Sequence, residues 1–130
     1  RLDEDAALAV WEAGLGVPDP AREEFVWSHA DLHGNNVLSH GGAFGGIIDW
    51  GSMAACDPAV DLGFAYSLMP SDGVDAMLAE YDRLTGRVDD ALVLRARAIA
   101  LAKCVGIAMN ERADTKAMGW RGLAALGLVR

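Results

Sequence analysis

Between His29 and Asp49 the chain gathers residue types whose spacing suits transfer of a phosphoryl group to a hydroxyl. The loop reads His29-Ala30-Asp31-Leu32-His33-Gly34-Asn35-Asn36, and thirteen residues after Asn36 an apolar run ends at Asp49. Such a transfer needs one carboxylate to accept the proton of the attacking hydroxyl. It also needs an amide oxygen and a second carboxylate to hold magnesium against nucleotide phosphates. Magnesium is a hard ion that takes oxygen ligands and keeps waters, so Asn36 with Asp49 suits it better than His or Cys. Asp31 and Asn36 are five residues apart across a loop, which lets them point into one cleft, and a hairpin would bring Asp49 back beside that loop.

Other chemistries compete for the same residues. His29, Asp31 and His33 alternate, so on a strand they would share a face and ligate zinc, as in a metal-dependent hydrolase. The Gly34-Asn35-Asn36 run argues for a loop instead, with Gly34 and Asn35 as turn formers. The stretch Gly41-Gly42-Ala43-Phe44-Gly45-Gly46 invites a phosphate-cradle reading, but it does not match G-x-G-x-x-G and fits a hairpin turn. Asp57 before Pro58 reads as a helix cap. Asp61 sits one turn into an apolar helix, which is unusual for a solvated residue and favours a bracing role. His33 and His40 carry no assigned chemistry outside the zinc reading.

The elements that must position these groups are mostly helical. Asp3 to Gly14 reads as a helix whose N-terminus is favoured by Asp3, Glu4 and Asp5, with Leu8, Trp11 and Leu15 on its apolar face. Glu23 to His29 reads as a short strand, and Asn36–His40 and Gly45–Trp50 as two more, joined through the glycine-rich turn. A helix is expected from Pro58 to about Met69. Another carries the stripe Val74, Met77, Leu78, Tyr81 and Leu84 and ends at Gly86. Asp89 or Asp90 caps a long helix with Leu94, Ala98, Leu101, Val105 and Ala108 on one face. Asp114 or Thr115 caps a last helix running to about Leu126. Met77, Met109 and Met118 read as core gap-fillers. The layout is mainly α, an α+β fold with one small β hairpin.

Composition bounds the function. The 130 residues make one domain, and no apolar run reaches the length of a membrane helix; Lys103 interrupts the nearest one, Ala98 to Met109. The acidic opening does not read as a signal peptide. The net charge of −8 excludes a basic nucleic-acid footprint; it would suit a cationic substrate, although solubility explains it more simply. Cys56 and Cys104 read as free thiols in a reducing, cytoplasmic setting.

The ordered motifs, His29 to Asn36, then Gly46-Ile47-Ile48-Asp49-Trp50, then Asp57-Pro58-Ala59-Val60-Asp61-Leu62, resemble the C-terminal lobe of the aminoglycoside phosphotransferase family, of protein-kinase-like fold. The resemblance runs from about Trp27 to Tyr66. It implies that Asp31 is the catalytic base, that Asn36 and Asp49 bind magnesium, and that His29 and Asp61 support the catalytic loop. Trp50 then stands where protein kinases have the Phe after their metal-binding Asp. The family's partners would be ATP or GTP with Mg2+ and a small hydroxyl-bearing substrate: an aminoglycoside, another antibiotic or a metabolite. Ala30 departs from the family's usual Gly, and Gly34-Asn35-Asn36 from its Pro-Gly-Asn.

The family's nucleotide-covering front lobe carries a lysine paired with a helix glutamate. Here the only lysines, Lys103 and Lys116, lie late in the chain, which also opens on Arg1. The chain is therefore expected to be the C-terminal lobe alone, inactive by itself, with an apolar face left for the missing lobe or for self-association. A non-catalytic interaction module is the further alternative. Acidic candidates for the substrate pocket are Glu111, Asp114 and the Asp72–Asp75 region, which as readily serve as solvated surface charges.

Overall fold

The computed structural model describes residues 1–130. Five helices are present: α1 (Glu4–Leu15), α2 (Ala59–Leu68), α3 (Ser71–Thr85), α4 (Asp90–Ala108) and α5 (Ala113–Ala125). Four short strands, β1 (Val26–Ser28), β2 (Val37–His40), β3 (Ala43–Ile47) and β4 (Ala54–Cys56), lie between α1 and α2. The mainly helical α+β class expected from the sequence is the one observed.

Helix α4 is the central element, with α1, α2 and α5 packed around it. Its buried residues, among them Leu92, Ala96, Ala100, Leu101, Cys104 and Ala108, point to more than one side, so the single face read from the sequence is too narrow. A helix enclosed by neighbours needs apolar residues around most of its girth. Small residues let the neighbours approach: a Cβ at Gly119 would collide with the Ala108 backbone, and one at Gly122 with Cys104 Sγ. The main core joins Tyr66, Val74, Leu101, Cys104, Leu123 and Leu128.

Asp3, expected as the first residue of the first helix, instead caps α1 by accepting the Ala6 N–H, and the buried face of the helix is not the expected one either. Leu8, Trp11 and Leu15 are exposed, while Ala6, Ala7 and Val10 meet the core. The slimmer face wins because α1 lies so close to α4 that a Cβ at Gly14 would strike Ala98. Met109 is likewise exposed, whereas Met77 and Met118 pack inside. Helix α5 begins at Ala113, so Asp114 lies within its first turn and is not its cap.

The β structure is richer than one hairpin. Strands β2 and β3 pair antiparallel through a two-residue turn, Gly41-Gly42, with φ of 59° and 79°, the positive values a tight hairpin turn requires. The turn is thus shorter than the glycine pattern suggests: Ala43 and Phe44 already belong to β3, and a bulge at Gly45 absorbs the extra residue. Strand β4 is an addition to the elements expected from the sequence; it pairs with β1 in the register Val26↔Cys56 to Ser28↔Ala54. That pairing sets Val26 opposite Cys56, just ahead of α2. Helix α2 begins at Ala59, with Pro58 at the cap position expected of Asp57, although Asp57 Oδ1 still accepts the Ala59 N–H at 2.9 Å. Its Oδ2 also accepts from Arg95 Nε at 2.7 Å in a largely buried pair that ties α4 to the start of α2.

Candidate active site

The polar loop between β1 and β2 is held from three directions. From α2, the Asp61 carboxylate accepts two consecutive backbone N–H groups, His29 at 2.7 Å and Ala30 at 2.9 Å. Asp61 is in the first turn of its helix, where a carboxylate is also favoured by the helix dipole. The second hold comes from His29 itself, which is buried. Its Nδ1 accepts the Asp31 N–H at 3.3 Å, so Nε2 carries the proton and donates to the Ile48 carbonyl at 2.8 Å. The ring also stacks edge-on against Trp50, centroids 4.8 Å apart.

The third hold is Met118 on α5, whose sulfur accepts the Gly34 N–H at 3.1 Å. Where the related motif has a proline with no N–H to offer, this chain has a glycine whose donor must find a partner, and a buried thioether provides it. Within the loop, Asn36 Nδ2 donates to the Asp31 carbonyl at 2.9 Å and the loop closes in a short 3-10 turn.

Ile48 is clamped on both sides. Its N–H donates to the Asn36 carbonyl at 3.0 Å, and its carbonyl accepts from His29. The next residue, Asp49, has φ 60° and turns the chain out of the hairpin into the Trp50–Ser52 turn. Two hydrogen bonds link the segments that carry Asp31, Asn36 and Asp49: Asn36 Nδ2 to the Asp31 carbonyl, and the N–H of Ile48, the residue before Asp49, to the Asn36 carbonyl. Asp31 lines a cleft beside the loop, while Asn36 and Asp49 are not among its lining residues.

The donor set fits magnesium. Asn36 spends its NH2 on the Asp31 carbonyl, which leaves its amide oxygen without a protein donor, and no protein group donates to the exposed Asp49 carboxylate. These are hard oxygen donors, the kind the ion selects. The zinc reading does not fit. Both ring nitrogens of His29 are occupied, and no group of three or more His, Cys, Asp or Glu side chains is placed to hold a metal ion. His33 instead turns inward on the loop, Nδ1 accepting the Asn35 N–H at 3.2 Å and Nε2 lying 3.5 Å from Asp31 Oδ2.

A cleft of about 720 Å³ opens beside Asp31, bounded by the loop, Phe64 of α2, the C-terminal half of α4 and the first turns of α5. Lys103, Asn110, Arg112, Thr115 and Met118 line it. Glu111, Asp114, Asp72 and Asp75 do not. Asp114 is exposed and paired with Arg112, whose guanidinium holds that carboxyl well below its usual range, helped by the Thr115 N–H. The contributions of Lys103 and Met118 escape sequence reasoning, because a methionine at helical spacing reads as core and a lone lysine in a long helix as surface.

Cys56 and Cys104 are both free, and no helix is long and apolar enough to cross a membrane. Comparison with curated proteins finds no match to this chain. The model of the phosphotransferase enzyme family matches residues 1–98, from the N-terminal helix to the middle of α4, and so takes in the whole polar loop, the hairpin and Asp61. The chain belongs to the phosphotransferase enzyme family.

Proposed function

We propose that the chain is the catalytic-loop lobe of a small-molecule kinase, which transfers the γ-phosphoryl group of ATP or GTP to a substrate hydroxyl. The observation that supports this reading is the double clamp on Ile48, the residue before Asp49, whose N–H bonds the Asn36 carbonyl and whose carbonyl bonds His29. Asp31 is the base. The substrate oxygen attacks the γ-phosphorus while its proton passes to the Asp31 carboxylate. The bond from that phosphorus to the β–γ bridging oxygen breaks, and its electron pair departs on the nucleoside diphosphate. Asn36 Oδ1 and the Asp49 carboxylate would hold magnesium, which when bound neutralises phosphate charge. His29 and Asp61 keep the loop in shape.

The nucleotide-covering lobe is supplied from outside these 130 residues. Both lysines are on late helices, Lys103 on α4 and Lys116 on α5, so no strand lysine is present to meet the phosphates. Trp27, Phe44 and Trp50, in and beside the small sheets, are left exposed, which supports a covering partner there. The reading also implies a cytoplasmic working site, where nucleoside triphosphates are available.

Calorimetry with magnesium and a non-hydrolysable ATP analogue tests the site. Binding that requires magnesium and weakens at least about tenfold in Asp49→Ala is expected, a change of roughly 1.4 kcal/mol; binding indifferent to both would overturn the metal assignment. Turnover by the isolated chain should be negligible, and robust magnesium-dependent ATP turnover by it would refute the division into lobes. With the nucleotide lobe joined, Asp31→Asn should reduce phosphoryl transfer on the order of a hundredfold or more.

A further inference from the structure

The cleft beside Asp31 has a charge pattern unlike the rest of the molecule. The chain carries a net charge of −8, yet Asp31 is the only acidic residue lining the cleft, which also takes in Lys103 and Arg112. These two cations differ. Arg112 is already paired: Nη2 lies 2.8 Å and Nε 3.2 Å from the Asp114 carboxylate, in solvent. Lys103 has no carboxylate partner among the ion pairs of the fold. Its ammonium instead rests 5.1 Å from the centre of the buried Phe64 ring, whose face holds the cation without cancelling its charge. Asn35 and Asn110 add neutral hydrogen-bonding groups to the lining.

We infer that the acceptor molecule is a small hydroxy compound bearing an anionic group, a carboxylate or a phosphate, bound by Lys103 with its hydroxyl toward Asp31. The inference rests on the kinase reading above and names the substrate class of that same cleft. A polycationic acceptor would bring ammonium groups against Lys103, with no lining carboxylate other than the one required as base. Arg112 contributes less than Lys103, since an anion must compete with Asp114 for it.

The test is an amide-resolved NMR titration of the 130-residue chain with four hydroxylated probes: glycerate, glycerol 3-phosphate, glycerol and 2-aminoethanol. Both anions should shift amides in Asp31–Asn36 and Ala102–Arg112 and bind at least about tenfold more tightly than glycerol, with 2-aminoethanol weakest. The order of the two anions separates carboxylate from phosphate. Lys103→Met, which removes the charge and keeps a long unbranched side chain, should erase the preference, and Arg112→Gln should weaken it only about twofold to threefold. The variants' own amide spectra show that they are folded. Equal or tighter binding of 2-aminoethanol, a preference that survives Lys103→Met, or no response to any probe would each overturn the inference. So would displacement of the anions by the magnesium–ATP analogue, since Lys103 would then belong to the nucleotide. Failure of the analogue to shift Asn36 and Asp49 amides, with anion selectivity intact, would instead count against the kinase reading alone.

Discussion

Asp61 Oδ2 accepts the His29 N–H at 2.7 Å, joining two residues 32 positions apart. The other oxygen of the same carboxylate takes the Ala30 N–H. One side chain on α2 thus satisfies two consecutive donors at the point where the chain leaves β1 and enters the polar loop. Neutral backbone donors bonded to a charged acceptor are worth about 1.5–3 kcal/mol each, and donors left unsatisfied near the core cost comparable amounts. Asp61→Ala should therefore destabilise the protein by about 3 kcal/mol, and Asp61→Asn, which keeps one acceptor, by about half of that. Urea unfolding with an unchanged slope measures both. A loss below about 1 kcal/mol for the alanine variant would mean that water replaces the carboxylate at no cost.

Ala30 occupies the left-handed region, with φ 65°. For a residue with a Cβ this conformation costs roughly 1–2 kcal/mol, and Asp61 holds the backbone there regardless. Glycine removes the strain but loses about 0.5–1 kcal/mol to the greater freedom of the unfolded chain. Ala30→Gly should come out more stable by about 0.5 kcal/mol, a reversal of the usual effect of that substitution. The midpoint of urea unfolding will show the sign, and a lower midpoint would place the strain elsewhere.

Gly34 and Met118 should be energetically coupled. The Gly34 N–H donates to the Met118 sulfur, and a Cβ at Gly34 would stand 2.8 Å from the same atom. Gly34→Ala forces the thioether aside, and Met118→Leu removes the acceptor while keeping the volume. Residues in direct contact show coupling of about 0.5–3 kcal/mol, so the double variant should fall short of the sum of the singles by about 1 kcal/mol. Additive losses would show that the sulfur is only a packing neighbour of the loop.

What can be read from the sequence divides along physical lines. Asp31, Asn36, Asp49 and Asp61 are nameable because loop chemistry is local: a dense polar run, a hairpin and an acidic residue at the start of an apolar helix are each visible within a few positions. The start of α4 follows from its cap, Asp89, which a short polar residue ahead of an apolar run announces. What stays hidden depends on partners distant in sequence. Leu8, Trp11 and Leu15 form the most apolar stripe of α1, but close approach to α4 selects the small residues opposite. Strand β4, Ala54–Cys56, has no strand signal of its own and exists because β1 offers it a ladder. The contacts of Lys103 and Met118 with the cleft arise only when α4 and α5 fold back past the loop, and nothing local to either residue announces them.

Cys104 gives a prediction with a definite pH window. The thiol is buried between α4 and α5, and desolvation pushes its pKa up to about 11 from a usual value of 9.0. Below pH 9 the thiol is neutral in both the folded and unfolded states, and burying it costs nothing electrostatic. Between pH 9 and 11 the unfolded chain loses this proton while the folded protein keeps it. The folded state then binds more protons than the unfolded, and stability falls as pH rises. A difference of one in pKa between the two states corresponds to about 1.4 kcal/mol, so the loss across that window is on the order of 2 kcal/mol. Cys104→Ala removes this part of the alkaline slope at the cost of a small cavity, so the two stability curves should converge as pH rises from 9 to 11. Curves that stay parallel would mean that the thiol titrates in the folded protein as it does in the open chain.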